Sequence, residues 1–198
     1  RNAIVIGAEK LSSIIDWEDR TTCVLFGDGA GAAVLSRSDE PKTGILDSCL
    51  HADGQRPELL LMPGGGSQMP ASSSSLKNRQ HYLKMNGKEV FKFAVRGMER
   101  AAKEILDRQK FAFHDIDRII PHQANMRIIE TIQERLEIPQ EKFYNNLQNY
   151  GNTSAASIPI ALDEAYRKGL VHHEDKLLCL AFGAGLTWGS TLIKWHKP

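Results

Sequence analysis

The chain of 198 residues contains no apolar run approaching the roughly 20 residues that a helix needs to cross a bilayer, which excludes a membrane-spanning helix within it. Its first ten residues, RNAIVIGAEK, have neither the apolar core nor the small-residue cleavage pattern of a secretory signal, so a cytoplasmic protein is expected. Cysteine is scarce: Cys23, Cys49 and Cys179 are odd in number, widely spaced and set among apolar residues (TTCVLF, DSCLHA, LLCLAF), a pattern for buried reduced thiols on strands rather than a disulfide framework. None stands beside a histidine or at an evident helix start, where a thiolate would be favoured. An excess of either charge is missing as well. Lys and Arg total 25 against 24 Asp and Glu, a net charge of +1, so the overall balance points to neither nucleic acid nor a membrane surface. What remains, 41% hydrophobic and 25% charged residues, is the composition of a globular protein that buries a core.

The order of elements follows from periodicity. Residues 2–7, NAIVIG, form a nearly continuous apolar run, suited to a strand buried on both faces. A chain that opens directly into such a strand is expected to be truncated, lacking the neighbours that the strand needs. After a turn carrying Asp16, Asp19 and Arg20, residues 21–26 read as a second strand, and GDGAG at 27–31 leads straight into a third at 32–36. Because GDGAG joins strand to strand, with no helix behind it to aim N–H groups at a phosphate, its glycines are read as points of close backbone packing. Residues 44–52 and 58–62 read as further strands, and the Gly- and Ser-rich segment 63–75 as a flexible excursion marking the best internal boundary.

Asn86 can cap a long amphipathic helix on which Val90, Phe91, Ala94, Met98, Ala101 and Ile105 recur at three- and four-residue steps. A short strand at 117–121 precedes a helix behind His122, with Met126, Ile129, Ile132 and Leu136 as its apolar stripe and Pro139 as its limit. A third helix is expected over 154–168, stopping at Gly169, and two strands at 177–182 and 190–195 close the chain around the loop GAGLTWG. Strands alternating with helices of this length imply an α/β layered fold.

Three loops at strand exits or helix starts carry distinctive polar groups: His122 in PHQAN, Asn152 in NYGNTSAAS, and the amide-rich FGAGLTWG. Each has a plain structural explanation by itself. A histidine at a strand end can simply be hydrogen-bonded, Asn152 can be a turn residue or a helix cap, and the glycines can make a tight hairpin.

Together, PHQAN (121–125), NYGNTSAASIP (149–159), FGAGLTWG (182–189), FGDGAGAAVL (26–35) and HADG (51–54) resemble the β-ketoacyl-acyl carrier protein synthase III family, in the same order through the whole chain. The resemblance implies a thiolase-like layered α/β/α fold with mixed sheets, residues 1–42 being the end of an N-terminal thiolase half and 43–198 a C-terminal half. It further implies a decarboxylative condensation of an acyl-coenzyme A primer, acetyl by default, with malonyl-acyl carrier protein at the start of fatty-acid synthesis, through a Cys-His-Asn triad. His122 and Asn152 match two members of that triad. They would act as hydrogen-bond donors to the thioester oxygen on which decarboxylation places negative charge.

By the same resemblance the backbone N–H near Ala184 belongs to an oxyanion hole for the acylated cysteine. Arg20, Gly87, Phe91, Asn125 and Ile128 line the coenzyme A or pantetheine path, Phe26 and Phe182 approach the acyl pocket, and Lys92 and Arg127 present cations to the acidic carrier protein. No metal and no permanently bound cofactor is implied, the coenzyme A thioester being a substrate, and the enzyme is expected to be a homodimer. One departure from the pattern is large. The family's nucleophilic cysteine lies in a segment ahead of the strand at residues 2–7, and Cys23, Cys49 and Cys179 do not have that context, so the chain alone is expected to be inactive. Two other readings stand beside this one: a non-catalytic thiolase-fold partner subunit, and a related condensing enzyme of secondary metabolism.

Overall fold

A computed structural model describes residues 2–196. Two sheets organise the chain. The first is an antiparallel ribbon of β1 (Asn2–Glu9) and β2 (Gly29–Ser36), in register from Asn2↔Ser36 to Glu9↔Gly29. The connection between them differs from the strand expected at 21–26: residues 21–25 are successive turns. The cause is Asp19, whose carboxylate accepts from both Thr21 N and Thr21 Oγ1, while its carbonyl accepts from Thr22 N and Cys23 N. Cys23 therefore sits half-buried in a turn rather than on a strand, whereas Cys49 and Cys179 are buried on strands as expected.

Of the GDGAG glycines, two have close packing as their reason. A Cβ at Gly27 would stand 2.1 Å from Tyr150 O, and one at Gly31 would stand 2.9 Å from Ile160 N. β1 is not buried on both faces. Ile4 and Ile6 are exposed because no described segment covers that face of the ribbon, and Val5, on the opposite face with Gly7, is 56% exposed as well.

β3 (Gly44–Ala52) opens the second part. The strand expected at 58–62 is a 3-10 turn, Pro57–Leu59, followed by only two strand residues, β4 (Leu60–Leu61); Pro57 occupies the start of the turn, where its missing N–H costs nothing. The serine-rich excursion is also more ordered than its composition implies. It contains α1 (Ser73–Lys77), closed by a capping box in which Ser72 Oγ accepts from Ser75 N (3.0 Å) and Ser75 Oγ from Ser72 N (2.9 Å), serine replacing the usual glutamate. β5 (Lys84–Met85) then pairs with β4. Arg79, between them, holds the buried carboxylate of Asp16 through a bidentate pair that, with Lys84 nearby, keeps its pKa well below the ordinary range.

α2 (Gly87–Gln109) is the long amphipathic helix, with Asn86 Oδ1 accepting from Glu89 N at its start and Ala94, Met98, Ala101 and Ile105 essentially inaccessible. β6 (Arg118–Pro121) leads through a loop into α3 (Met126–Leu136), so the helix expected behind His122 begins four residues later, with Asn125 as its cap. A single-turn α4 (Leu147–Tyr150) and a 3-10 turn (Ser154–Ala156) precede α5 (Ser157–Arg167). The chain closes in the hairpin β7 (Lys176–Gly183) and β8 (Thr187–Lys194).

The second sheet has the order β3-β8-β7-β6, with β6 and β7 parallel and the other pairs antiparallel. α2 and α3 cover one face, burying Met98, Ile105, Ile129 and Ile132 against Leu178, Leu180 and Leu192. On the other, Ala161 and Ala165 of α5 pack against Ile120, Leu177 and Cys179. α5 also lies on β2, so the helix is sandwiched between the sheet and the ribbon. That sandwich is what brings the loop ahead of α5 to the end of β6.

Candidate active site

His122 is the first residue after β6, and its own N–H, bonded to Leu180 O at 2.7 Å, continues the β6–β7 ladder by one position. The ring is thereby fixed by the sheet rather than by the loop. Its Nδ1 lies 2.6 Å from Ser157 Oγ at the start of α5. Burial, with no charged partner to offset it, lowers the His122 pKa to about 4, so the imidazole is neutral at physiological pH.

The next residue, Gln123, is 1% exposed and braces the loop. Its amide donates to Pro121 O (2.8 Å) and Tyr144 O (3.3 Å), and its Oε1 accepts from Asn146 N (3.1 Å). Asn146 continues outward to Glu164 Oε2 at 2.7 Å.

Asn152 is held from both sides by backbone bonds to the segment preceding β2: Asn152 N donates to Leu25 O (2.9 Å) and Gly27 N to Asn152 O (2.9 Å). Its side-chain Oδ1 accepts from Ser154 N (2.9 Å), an Asx turn that leaves the amide nitrogen as the end able to donate to a ligand. Of the two structural roles open to Asn152 in the sequence, it fills the turn.

His122 and Asn152 line one cleft of about 1560 Å³. Phe26, Gly87, Phe91, Lys92, Asn125, Arg127, Ile128, Phe182 and Ala184 line it too. Arg20 does not: it is exposed in the turn after Asp19 and outside the cleft lining. Several of these residues already have structural work. Asn125 Oδ1 caps α3 through Arg127 N (2.9 Å), Lys92 pairs with Glu89 (2.6 Å), and Phe182 belongs to the buried core. Arg127 is exposed at the mouth of the same helix start.

Ala184 lies in the tip between β7 and β8, which is fastened to the HADG segment by reciprocal bonds between Asp53 and Leu186 (2.8 and 2.7 Å). Cys179 lines the cleft but is pushed up to about 12 by burial, far from a thiolate at neutral pH. Cys49 is bonded to Ser190 Oγ and Ala101 O in the core between the sheet and α2. Neither His122 nor Asn152 hydrogen-bonds a cysteine among the described residues.

A neutral imidazole and a carboxamide, each with one end tied down and both on rigid supports, form a pair of donors suited to an oxygen that gains negative charge. Gln123 and Ser157, which hold the histidine loop, were not singled out in the sequence. Both lie inside the quoted motifs PHQAN and NTSAAS, but a contact spanning 35 positions leaves no local periodicity to reveal it.

The mixed sheet flanked by helices, with polar groups at strand exits facing a common cleft, is the thiolase-like class of α/β fold. Similarity is specific beyond the fold. Residues 106–195 match the family 3-oxoacyl-[acyl-carrier-protein] synthase III, C terminal, and residues 1–54 match the companion 3-oxoacyl-[acyl-carrier-protein] synthase III family. Over 197 residues the chain is 58% identical to a beta-ketoacyl-[acyl-carrier-protein] synthase III of Caldanaerobacter subterraneus, a match covering 100% of this chain and 59% of that protein.

Among solved structures, a 3-oxoacyl-[acyl-carrier-protein] synthase III of Aquifex aeolicus superposes with a TM-score of 0.87 at 48% identity, over 98% of this chain and 58% of that one. The priming beta-ketosynthase of the R1128 polyketide biosynthetic pathway also superposes at 0.87, with 35% identity, over 100% of this chain and 58% of that one. The chain belongs to the 3-oxoacyl-[acyl-carrier-protein] synthase III family. It spans 59% of the length of the first curated relatives it matches.

Proposed function

We propose that the chain supplies the histidine and asparagine of a condensing enzyme that joins an acyl-coenzyme A primer to malonyl-acyl carrier protein, releasing carbon dioxide and free coenzyme A and giving a 3-oxoacyl-acyl carrier protein. The observation that carries the reading is the convergence of His122 and Asn152 on one cleft, each with its second polar atom already engaged within the chain. When the malonyl carboxylate leaves as carbon dioxide, its bonding electrons pass into the thioester, and the carbonyl oxygen takes on negative charge. Two N–H donors held on rigid elements stabilise that oxygen as it charges, and they need not reorganise to do so. The carbanion then attacks the carbonyl carbon of an acyl group held as a thioester on a cysteine, the third member of the triad; the new C–C bond forms as the C–S bond breaks and the cysteine leaves as its thiolate. Cys49 and Cys179 are poor candidates for that nucleophile, being buried, with Cys179 raised to about 12.

The rest of the cleft fits a pantetheine arm. Gly87, Phe91, Asn125 and Ile128 line its course and Arg127 offers a cation to the phosphate or carrier protein, whereas the exposed Arg20 would have to act from outside the cleft lining. Lys92, held by Glu89, is a weaker docking cation than Arg127. Phe26 and Phe182 bound the acyl end. Donors from the backbone near Ala184 complete a second oxyanion hole for the acylated cysteine.

A condensing role in secondary metabolism is the second reading, favoured by the likeness to the R1128 priming beta-ketosynthase. Separate assay of the two half-reactions tests the proposal in a full-length enzyme carrying this chain. His122→Ala and Asn152→Ala are each expected to lower malonyl-thioester decarboxylation on the order of a hundred- to a thousand-fold, with acyl transfer from acyl-coenzyme A to the cysteine largely retained. Loss of acylation with decarboxylation intact would assign the pair to the other half-reaction.

A further inference from the structure

The proposed donor role requires a proton on Nε2 of His122, and a neutral imidazole carries only one proton to place. The choice is decided at Nδ1. Ser157 is 3% exposed, and its Oγ lies 2.6 Å from His122 Nδ1 and 3.3 Å from Gln123 N. Gln123 N–H can only donate, so it occupies one lone pair of Oγ. The hydroxyl proton then needs an acceptor of its own, since an unsatisfied buried O–H costs a substantial part of a hydrogen bond. Among the described residues no hydrogen bond takes that hydroxyl to a carbonyl or carboxylate, and the imidazole nitrogen is its one acceptor.

We propose that Ser157 is the positioning residue that sets the His122 tautomer, donating its hydroxyl proton to Nδ1 so that Nε2 carries the N–H directed into the cleft. The assignment rests on the condensing reading for its consequence but not for its geometry, which is complete within the chain. The direction of the chain of bonds is fixed at its far end. Gln123 is itself anchored by Pro121 O, Tyr144 O and Asn146 N, so the peptide N–H that occupies Ser157 Oγ cannot turn away without breaking the brace. Ser157 begins α5, the helix held between the sheet and the ribbon, so the hydroxyl is carried on an element that cannot drift relative to β6. Burial of the ring agrees with this polarity: a charged imidazolium would donate from both nitrogens and leave the Ser157 proton with no acceptor.

The test is ¹⁵N NMR of the histidine-labelled chain, with a kinetic arm in the full-length enzyme. In the wild-type chain the His122 signals should be those of the neutral Nε2–H tautomer. Ser157→Ala should shift them toward the Nδ1–H form or a mixture, and Ser157→Thr, which retains a hydroxyl, should restore Nε2–H. In the enzyme, Ser157→Ala should lower kcat for malonyl-thioester decarboxylation by about tenfold or more, as loss of a tautomer-setting partner does in other histidine sites, with KM moved far less and Ser157→Thr recovering most of the rate.

An Nε2–H ring that persists in Ser157→Ala would overturn the assignment, and so would a shifted tautomer with undiminished kcat. These outcomes differ from failure of the condensing reading, which would appear as His122→Ala decarboxylating at the wild-type rate whatever the tautomer.

Discussion

Burial alone holds the His122 pKa at about 4, well under the ordinary histidine value of 6.5, and this one residue ties function to stability. Between those two values the unfolded chain takes up a proton that the folded chain refuses. The stabilisation due to the neutral ring is therefore fully present above pH 6.5 and is lost as pH falls toward 4, to an upper limit of roughly 3 kcal/mol. Urea unfolding at stepped pH values should show a steeper loss of stability over this window in the wild type than in His122→Asn, which has no group to titrate there. Equal slopes would mean that the imidazole is solvated and its pKa ordinary. Asn152 has no such dependence, because its amide does not ionise. Any acid limb in decarboxylation with an apparent pKa near 4 is thus expected to follow the histidine.

At the scale of elements, the site depends on contacts too close for a side chain. Gly27→Ala would place a methyl group where Tyr150 O now stands, pushing apart the segment 25–27 and the loop that it holds through both backbone groups of Asn152. We expect a destabilisation on the order of 1–3 kcal/mol in chemical denaturation, together with reduced decarboxylation, since the Asn152 amide moves with its backbone. An unchanged unfolding midpoint would show that the loop absorbs the methyl group at no cost.

The same scale shows what could be read from the sequence. α2 and α3 were legible because their apolar residues recur at helical steps and each has an asparagine cap, and the strands at 44–52 and 117–121 because they are short apolar runs between turns. The misjudged elements turn on local side-chain effects that the apolar pattern does not carry, such as Pro57 opening a 3-10 turn where a strand was expected at 58–62. Asp19 folds residues 21–25 into turns despite their strand-like composition, and Ser72 with Ser75 orders a serine run that composition alone describes as flexible. His122 and Asn152 were legible as polar groups at element ends. The supports behind them, Gln123 and Ser157, were not, because their partners lie far away in the chain.

The whole molecule presents a sheet covered on both faces beside a ribbon whose outer face is open. Ile4 and Val34, directly opposed on the ribbon, are 63% and 66% exposed, with Ile6 two residues along from Ile4 on the same face. Such a contiguous apolar surface is the kind that another protein surface covers. The cleft, by contrast, is built between the sheet end, the start of α3 and the segment leading into β2, so that its two donors come from opposite sides and meet only in the folded chain.

The central claim is that these donors share one charged oxygen. The most direct measurement is a crystal structure of the enzyme with a non-hydrolysable malonyl-thioester analogue whose carbonyl is replaced by an oxyanion mimic. The account predicts that the mimic's oxygen lies about 3 Å from both His122 Nε2 and Asn152 Nδ2. An ordered analogue whose oxygen is held by other groups, with His122 and Asn152 out of reach, would contradict it.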